Sequence, residues 1–409
     1  MATMSDAPSE SFRLSMLLND KRYRAYTFQF IALLLLIGFF SYLGVNLVRN
    51  LQAAGLNISF GFLGDPAGYD INQRLIEYSK DSTHWRASVV GVLNTLLVAV
   101  VGCFFATIIG VVVGVLRLSN NWIVSRLMSV YVEIFRNVPV LIWILIIMAI
   151  FIAVLPQPRD FRGANAEASM FLDLFAFTGR GFYMPKPYFA AEWAAGATGW
   201  LIVIALLILG FIGSRMIAGN ATKIQEATGN RPTTWYWTLG IWFGPLIIAF
   251  FVMGLSWDVP ALKGFNFQGG IYARNSFIAL TFALSIYTAA FIAENVRAGI
   301  LSVSKGQSEA AASLGLRPNR IMNLVILPQA LRVIIPPLIS HFLNLTKNSS
   351  LAIAVGYMDL TGTLGGITLN QTGRAIESVL LLMAFYLTIS LSISAIMNVY
   401  NKSISLKER

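Results

Sequence analysis

Charged and amide side chains lie inside long apolar stretches of this chain, where a charge is costly and usually has a function. Lys347 is the clearest case, because it is the single charge within residues 333–358. Hydroxyl and amide groups surround it, on Asn344, Asn348, Ser349 and Ser350. Such a group could bind a polar solute as it crosses an apolar barrier. Alternatively, the ammonium could reach an interface or bond helix carbonyls.

Two acid–base pairs have a spacing of three residues, Glu294 with Arg297 and Glu133 with Arg136. On a helix this spacing places both side chains on one face, so we expect each pair to form an ion pair. An exposed pair of this kind contributes only about 0.2–0.5 kcal/mol. We interpret both pairs as structural. The alternative is that they anchor the neighbouring loop or form part of an inner gate.

Enzymatic and metal chemistry finds no support in the sequence. The single cysteine, Cys103, and the two histidines, His84 and His341, are too few and too far apart for a zinc site. A phosphate-binding loop needs a glycine directly before its lysine, and no lysine of this chain follows a glycine. We therefore predict no catalytic residue, no metal and no cofactor in this chain.

Composition identifies the setting of these residues as a membrane. Of the 409 residues, 56% are hydrophobic and 12% are charged, whereas soluble domains carry about 25% charge. These values exclude an ordinary soluble enzyme and a disordered chain, and long apolar runs argue against an outer-membrane barrel. The net charge of +11 is explained by membrane topology rather than by nucleic acid. The sequence predicts an all-α polytopic membrane protein.

Seven stretches without Asp, Glu, Lys or Arg approach the 20 residues that a bilayer requires. The first is interpreted as a retained anchor rather than a signal peptide. The stretch 333–358 is interrupted only by Lys347 and is counted as an eighth span, and its Pro336-Pro337 pair is expected to kink or break the helix early. The predicted spans are 25–48, 87–116, 137–158, 193–214, 232–257, 275–293, 333–358 and 378–401.

The distribution of charge predicts the orientation. With the N-terminus inside, the inner segments hold 17 basic and 6 acidic residues, whereas the outer segments hold 11 of each. Lysine and arginine collect in cytoplasmic loops. We therefore expect both termini to be cytoplasmic, with long outer loops after the first and third spans that could be solvated connectors or could contact a soluble partner.

One inner loop, residues 302–325, has a distinct helical pattern. Ser304 can cap a first helix with Gln307 as its capping-box partner, and an alanine run follows. Gly315 is suited to end that helix in a left-handed conformation, and Pro318 to start the next one. The expected product is a short helix with a smooth alanine face, which suits docking into a groove on another protein.

This loop resembles the EAA loop of binding-protein-dependent ABC importers. The matching residues are Glu309-Ala310-Ala311, Gly315 and Ile326-Leu327-Pro328. Val325 departs from the usual isoleucine, a conservative change. In that family the loop is the coupling helix that sits on the cytoplasmic ATPase subunit. The resemblance implies an ATPase-coupling site formed by Gly306, Glu309, Ala310, Ala311, Gly315, Leu327 and Pro328.

Other segments extend the resemblance to the polar amino acid permease branch, namely residues 131–139, 287–297, 305–307 and 347–351. Residues 60–63, 67–71 and 94–97 resemble the first (Q-type) permease subunits of alphaproteobacterial importers of general L-amino acids and of glutamate, glutamine, aspartate and asparagine. The fold implied is a type I (MetI-like) importer core with extra helices. It would occupy residues 87–401, with an insert at about 156–274, an anchor and loop at 1–86 and a tail at 402–409.

The resemblance also implies a function and partners. The chain would be a permease subunit for polar L-amino acids in the bacterial inner membrane, working by alternating access. Its partners would be a cytoplasmic ABC ATPase dimer that holds ATP and Mg, a second permease that is a paralogue, and a periplasmic binding protein. An amino acid carries both a carboxylate and an ammonium, which the polar groups around Lys347 could bind.

Two other classes of transporter remain as alternatives. An ion-coupled secondary amino acid transporter would show inverted repeats and midplane charges, but no repeat is evident and the EAA-like loop would have no role. An ion channel would need a filter of carbonyl donors, and we interpret the glycine-rich residues 362–366 as a turn. The small residues Ala106, Gly110 and Gly114 allow close helix packing, either within one bundle or between subunits.

Overall fold

The computed structural model describes residues 16–53, 55, 57–163 and 166–404. The chain divides into two compact units, residues 1–63 and 64–409. The first unit contains a short helix, α1 (Met16–Asn19), and a long one, α2 (Lys21–Ala53). At 1.5 Å per residue, α2 is about 50 Å long. Because none of its apolar window is buried, its side chains face outward, as expected of a helix that crosses a bilayer.

The helices of the second unit include the remaining long apolar ones and several short connectors. They are α3 (His84–Leu116), α4 (Trp122–Asn137), α5 (Val140–Val154), α6 (Ala197–Thr228), α7 (Trp235–Val252), α8 (Asn275–Leu301), α9 (Lys305–Ser313), α10 (Pro318–Ile321), α11 (Leu327–Asn348), α12 (Leu369–Thr372) and α13 (Ala375–Ile404). Across the described residues, eight helices are long and apolar enough to span a membrane. The eight predicted spans are therefore confirmed.

The core of the second unit is the contact between α3 and α8, which run parallel. The predicted stripe of small residues lies in this contact. A Cβ added at Gly110 would lie 2.6 Å from Ile292 Cβ, and one at Gly114 would lie 2.8 Å from the carbonyl oxygen of Ala293. Glycine is required at both positions because the helix backbones approach closely. The stripe thus packs within one bundle, which was one of the two interpretations of the sequence.

Short strands lie beside the ends of these helices, which the sequence did not predict. They are β1 (Ala176–Thr178), β2 (Gly181–Met184), β3 (Lys186–Phe189), β4 (Leu255–Asp258), β5 (Ala261–Lys263), β6 (Asn266–Gln268) and β7 (Ile271–Arg274). All pairs are antiparallel, in the order β1-β2-β7, β3-β4 and β5-β6. The two loops flanking α6 and α7 therefore fold together instead of forming separate solvated connectors.

Two faces of the bundle can be named from these elements. The sheet face is the end at His84 of α3 and Asn275 of α8, beside the strands. The asparagine's backbone nitrogen donates to the carbonyl of Arg180, between β1 and β2. The loop face is the opposite end, at Leu116 of α3 and Leu301 of α8, where α9 and α10 lie.

Two irregular segments differ from what the sequence predicted: the proline pair does not break its helix, and the glycine-rich run is not a turn. Helix α11 continues through Pro336 and Pro337, because packing on α8 supports it there: Asn295 Nδ2 donates to the carbonyl of Ile334 at 2.7 Å. The glycine-rich residues 362–366 are not a turn but part of a π-helix, Thr361–Thr368, whose first turns are buried. Small residues allow this segment to pack against α3, where the Thr363 side chain fills the space beside Gly91.

Candidate functional site

The loop between α8 and α11 forms the two short helices that the sequence predicted. Ser304 occupies the N-cap position of α9, but its side chain makes no capping hydrogen bond, so the predicted capping box with Gln307 is wrong. Gly315 ends the helix with φ +78°. The nitrogen of Leu316 then donates to the carbonyl of Ala311 at 3.3 Å, the bond of a Schellman C-cap. Pro318 begins α10, as expected.

Most of the predicted coupling residues are exposed on the loop face. Ala311 is buried, whereas the other six are exposed: Gly306, Glu309, Ala310, Gly315, Leu327 and Pro328. Leu314 is 81% exposed, so the surface includes an unprotected apolar side chain. A protruding helix with small residues, one carboxylate and one leucine has the chemistry of a docking surface.

An amide pair connects this surface to the next long helix. The side chain of Gln329, in the first turn of α11, donates to the side-chain oxygen of Gln307 in α9. It also donates to the carbonyl of Val325 at 2.9 Å. A π-helical segment, Met322–Ile326, separates α10 from α11. The amide pair therefore joins α9 to the first turn of α11.

Behind the loop, Glu294 of α8 is the centre of an ion cluster. It accepts a hydrogen bond from Arg117 at the end of α3, and its second oxygen lies 3.3 Å from Arg297 Nη2. Arg136 of α4 approaches to 3.8 Å. The predicted Glu294–Arg297 pair is therefore present within a larger cluster that joins three helices.

The second predicted pair is wrong. Among the described residues, no ion pair joins Glu133 and Arg136; Glu133 is exposed, while Arg136 turns toward Glu294. Helix α4 packs against α8 through Val132 and its neighbours, and this packing aims Arg136 at α8. Arg117 was missed as a partner because it lies 177 residues from Glu294 in sequence.

A polar cavity of about 320 Å³ lies between α8 and α11, with no acidic or basic side chain in its lining apart from one histidine. Asn344 and Asn348, both predicted to line a substrate path, are brought together here. His341, expected to be a packed helix residue, also faces the cavity, with its ring 6.0 Å from that of Phe291. The lining residues are Tyr287, Thr288, Phe291, His341, Asn344 and Asn348.

The other three predicted path residues do not line this cavity. Lys347 is exposed on α11 in the single chain. Ser349 is buried and donates to the carbonyl of Thr346 at 2.7 Å, while Ser350 is half-buried. The structure therefore brings two of the five predicted path residues into one cavity and leaves Lys347 on an uncovered helix face.

A buried carboxyl near the sheet face was not predicted from the sequence. Asp359 is 0% exposed and accepts hydrogen bonds from the nitrogen of Gly362 at 2.8 Å and the hydroxyl of Tyr386 at 3.1 Å. Burial raises its pKa to about 6. Within the described residues no ion pair reaches it. Its place directly before a glycine-rich run, as an N-cap, was the available signal.

Comparison with known proteins shows that the sequence is similar to transport proteins. Residues 232–406 match the family described as binding-protein-dependent transport system inner membrane component. The chain is 54% identical, over 100% of both chains, to the glutamate/glutamine/aspartate/asparagine transport system permease protein BztB of Rhodobacter capsulatus.

Two further relatives are similar over nearly their whole length. The general L-amino acid transport system permease protein AapQ of Rhizobium johnstonii is 45% identical over 98% of this chain and 96% of that protein. The putative amino-acid ABC transporter permease protein YhdX of Escherichia coli is 43% identical over 94% and 95%. These likenesses confirm the resemblance that the loop motif and the branch segments indicated.

Proposed function

The chain belongs to the family of binding-protein-dependent transport system inner membrane components, as an amino acid permease, and we propose on this premise that it imports polar L-amino acids by alternating access. It is a multi-pass inner membrane protein. In the proposed cycle, a periplasmic binding protein delivers the amino acid at the sheet face. ATP binding and hydrolysis on a separate ATPase dimer, which holds ATP and Mg, then open the substrate path alternately to the two sides of the membrane.

The exposed helix α9 carries this proposal. Its free surface around Glu309 and Ala310 would lie in a groove of the ATPase, and the Gln307–Gln329 amide pair would transmit its displacement to α11. Because α11 also lines the polar cavity, one rigid helix would connect the ATPase to the substrate path. The loop face is cytoplasmic in this proposal, with both termini on the same side, as the excess of basic residues favours.

The uncovered side of α11 supports the proposal of a second permease subunit. Lys347 and Asn344 are exposed in the single chain, and an uncovered ammonium and amide facing lipid are costly. A paralogous permease covering this side would enclose the path between the two subunits. Lys347 would then face the substrate or the partner subunit, and the cavity that Asn344 and Asn348 line would lie on the same enclosed path.

The proposal is tested by co-purification and uptake after Glu309→Lys, with the partner subunits co-expressed. Charge reversal on the docking surface is expected to release the ATPase and to reduce amino acid uptake to background. Glu226→Lys is the matched control, because Glu226 is an exposed acid near the end of α6 and is not part of α9. That variant should retain the ATPase and transport normally.

The same assay distinguishes the alternative of an ion-coupled transporter. Uptake by the wild type should disappear when the ATPase subunit is omitted and should resist dissipation of ion gradients. Uptake that continues without the ATPase, together with unchanged behaviour of Glu309→Lys, would overturn the importer mechanism and support the secondary transporter.

A further inference from the structure

The ion cluster around Glu294 contains more positive charge than its single carboxylate can neutralise. Arg117, whose side chain is only 10% exposed, and Arg297 each donate to a different oxygen of Glu294. Arg136 lies 3.8 Å away, beyond hydrogen-bond distance. Three guanidinium groups facing one carboxylate leave a net charge of +2 (three minus one). Arg136 is the member of the cluster that Glu294 holds least.

Arg136 also lies at the margin of the polar cavity. Its guanidinium carbon is 5.5 Å from the centre of the Phe291 ring, and that ring lines the cavity with His341 and Asn344. The side chain of Arg136 is 42% exposed, so it can change rotamer without breaking a buried contact. A cation over an aromatic face is held only weakly, by about 0.5–1 kcal/mol at an exposed site.

The cavity lining offers a zwitterionic solute hydrogen bonds but no charged partner for its carboxylate. Its amide, hydroxyl and imidazole groups can donate and accept hydrogen bonds, but no lysine, arginine or carboxylate is among its lining residues. A carboxylate inside a membrane requires a cationic partner. Arginine matches a carboxylate with two parallel N–H donors, and Arg136 is the guanidinium next to this space.

We propose that Arg136 binds the α-carboxylate of the transported amino acid in the cavity between α8 and α11, exchanging its weak contact with Glu294 for the substrate. This assignment rests on the proposed function. Glu294 remains neutralised by Arg117 and Arg297 when Arg136 leaves, so the exchange strands no charge. The arginine thereby recognises the group that all amino acids share and leaves side-chain selection to other contacts.

A ligand pair that differs only at the carboxylate tests this assignment. Binding of L-glutamine and of L-glutaminamide, whose α-carboxylate is replaced by a neutral amide, is measured on the purified complex with its partner subunits and without binding protein. Arg136→Gln is expected to weaken glutamine binding about tenfold or more, the loss of a charge-assisted hydrogen bond, with little change for glutaminamide. Arg136→Lys should restore part of the lost affinity, because lysine keeps the positive charge but lacks the two parallel N–H donors of the guanidinium.

Arg126→Gln is the matched control, since Arg126 lies exposed on the same helix α4 and loses the same charge. It should leave both ligands unaffected. Equal weakening of both ligands by Arg136→Gln, or no weakening of either, would overturn the assignment. These results are separable from failure of the proposed function, which would appear as absent ATP-dependent uptake by the wild-type complex.

Discussion

Helices α8 and α7 are both apolar enough to cross a membrane, but they occupy opposite environments. In α8, 67% of the apolar window is buried inside the protein, whereas in α7 none of it is. Alanine, serine and threonine dominate the buried positions of α8, while α7 begins with Trp235-Tyr236-Trp237 and continues with bulky residues. In a bilayer apolar surface alone gives no reason for helices to associate, so small and polar residues decide which helix is central.

The buried helix carries candidate site residues, whereas the lipid-facing helices do not. The central helix α8 carries Glu294 and three residues of the polar cavity, and it contacts α3, α4, α5 and α11. Helices α6 and α7 carry none of the candidate site residues. The aromatic start of α7 fits an interfacial position. Changes of the same chemical kind on the two sorts of surface should therefore have unequal effects.

The largest effect is expected from removing the central carboxylate. Glu294→Gln leaves three arginines without their counter-charge, including the nearly buried Arg117, and should reduce stability by about 2–4 kcal/mol. Glu133→Gln removes an exposed acid with no ion pair among the described residues and should change little. Thermal unfolding of the purified complex compares them. Similar unfolding temperatures for the two variants would mean that the cluster is not the centre of helix packing.

A methyl group added to a glycine of the central α3–α8 contact, and to a glycine of α7, sharpens the comparison. Gly110→Ala places a Cβ 2.6 Å from Ile292 Cβ in the α3–α8 contact, an overpacking that should cost about 1–3 kcal/mol. Gly240→Ala in α7 meets no atom within 4 Å and should be neutral. Unfolding curves in detergent measure both. If the two variants unfold alike, close packing of α3 and α8 does not contribute to stability.

The smallest effect concerns the buried carboxyl. Because the pKa of Asp359 is raised to about 6 in the folded protein, folding favours its protonated form. That contribution is complete below the ordinary value of about 4 and is lost as pH rises through about 6. The wild type should lose about 1 kcal/mol between pH 5 and 7, a slope that Asp359→Asn removes. Asp81→Asn, at an exposed acid, should keep the slope of the wild type. If the difference in stability between the wild type and Asp359→Asn does not change with pH, Asp359 is not the group that titrates.

Local patterns predicted much of this molecule, and long-range contacts account for what they missed. The eight spans and the helix stop at Gly315 depend on composition and on single residues, so they could be predicted. The pairing of β2 with β7 joins Phe182 to Ala273, about ninety residues apart, and three- or four-residue strands have no clear periodicity. The prediction that Arg136 pairs with Glu133 was wrong because tertiary packing of α4, not local spacing, determines where the Arg136 side chain points.

The pairing of β3 with β4 closes the excursion of the chain through α6 and α7. Phe189, just before these helices, lies opposite Leu255, just after them, and the nitrogen of Ala190 donates to the carbonyl of Gly254 at 2.9 Å. Paired residues of antiparallel strands are only about 5 Å apart, so a two-residue hairpin turn could join these ends. The hairpin of α6 and α7 is therefore an excisable module that begins and ends at this strand pair, and evolution could gain or lose it without rebuilding the helices that carry the path.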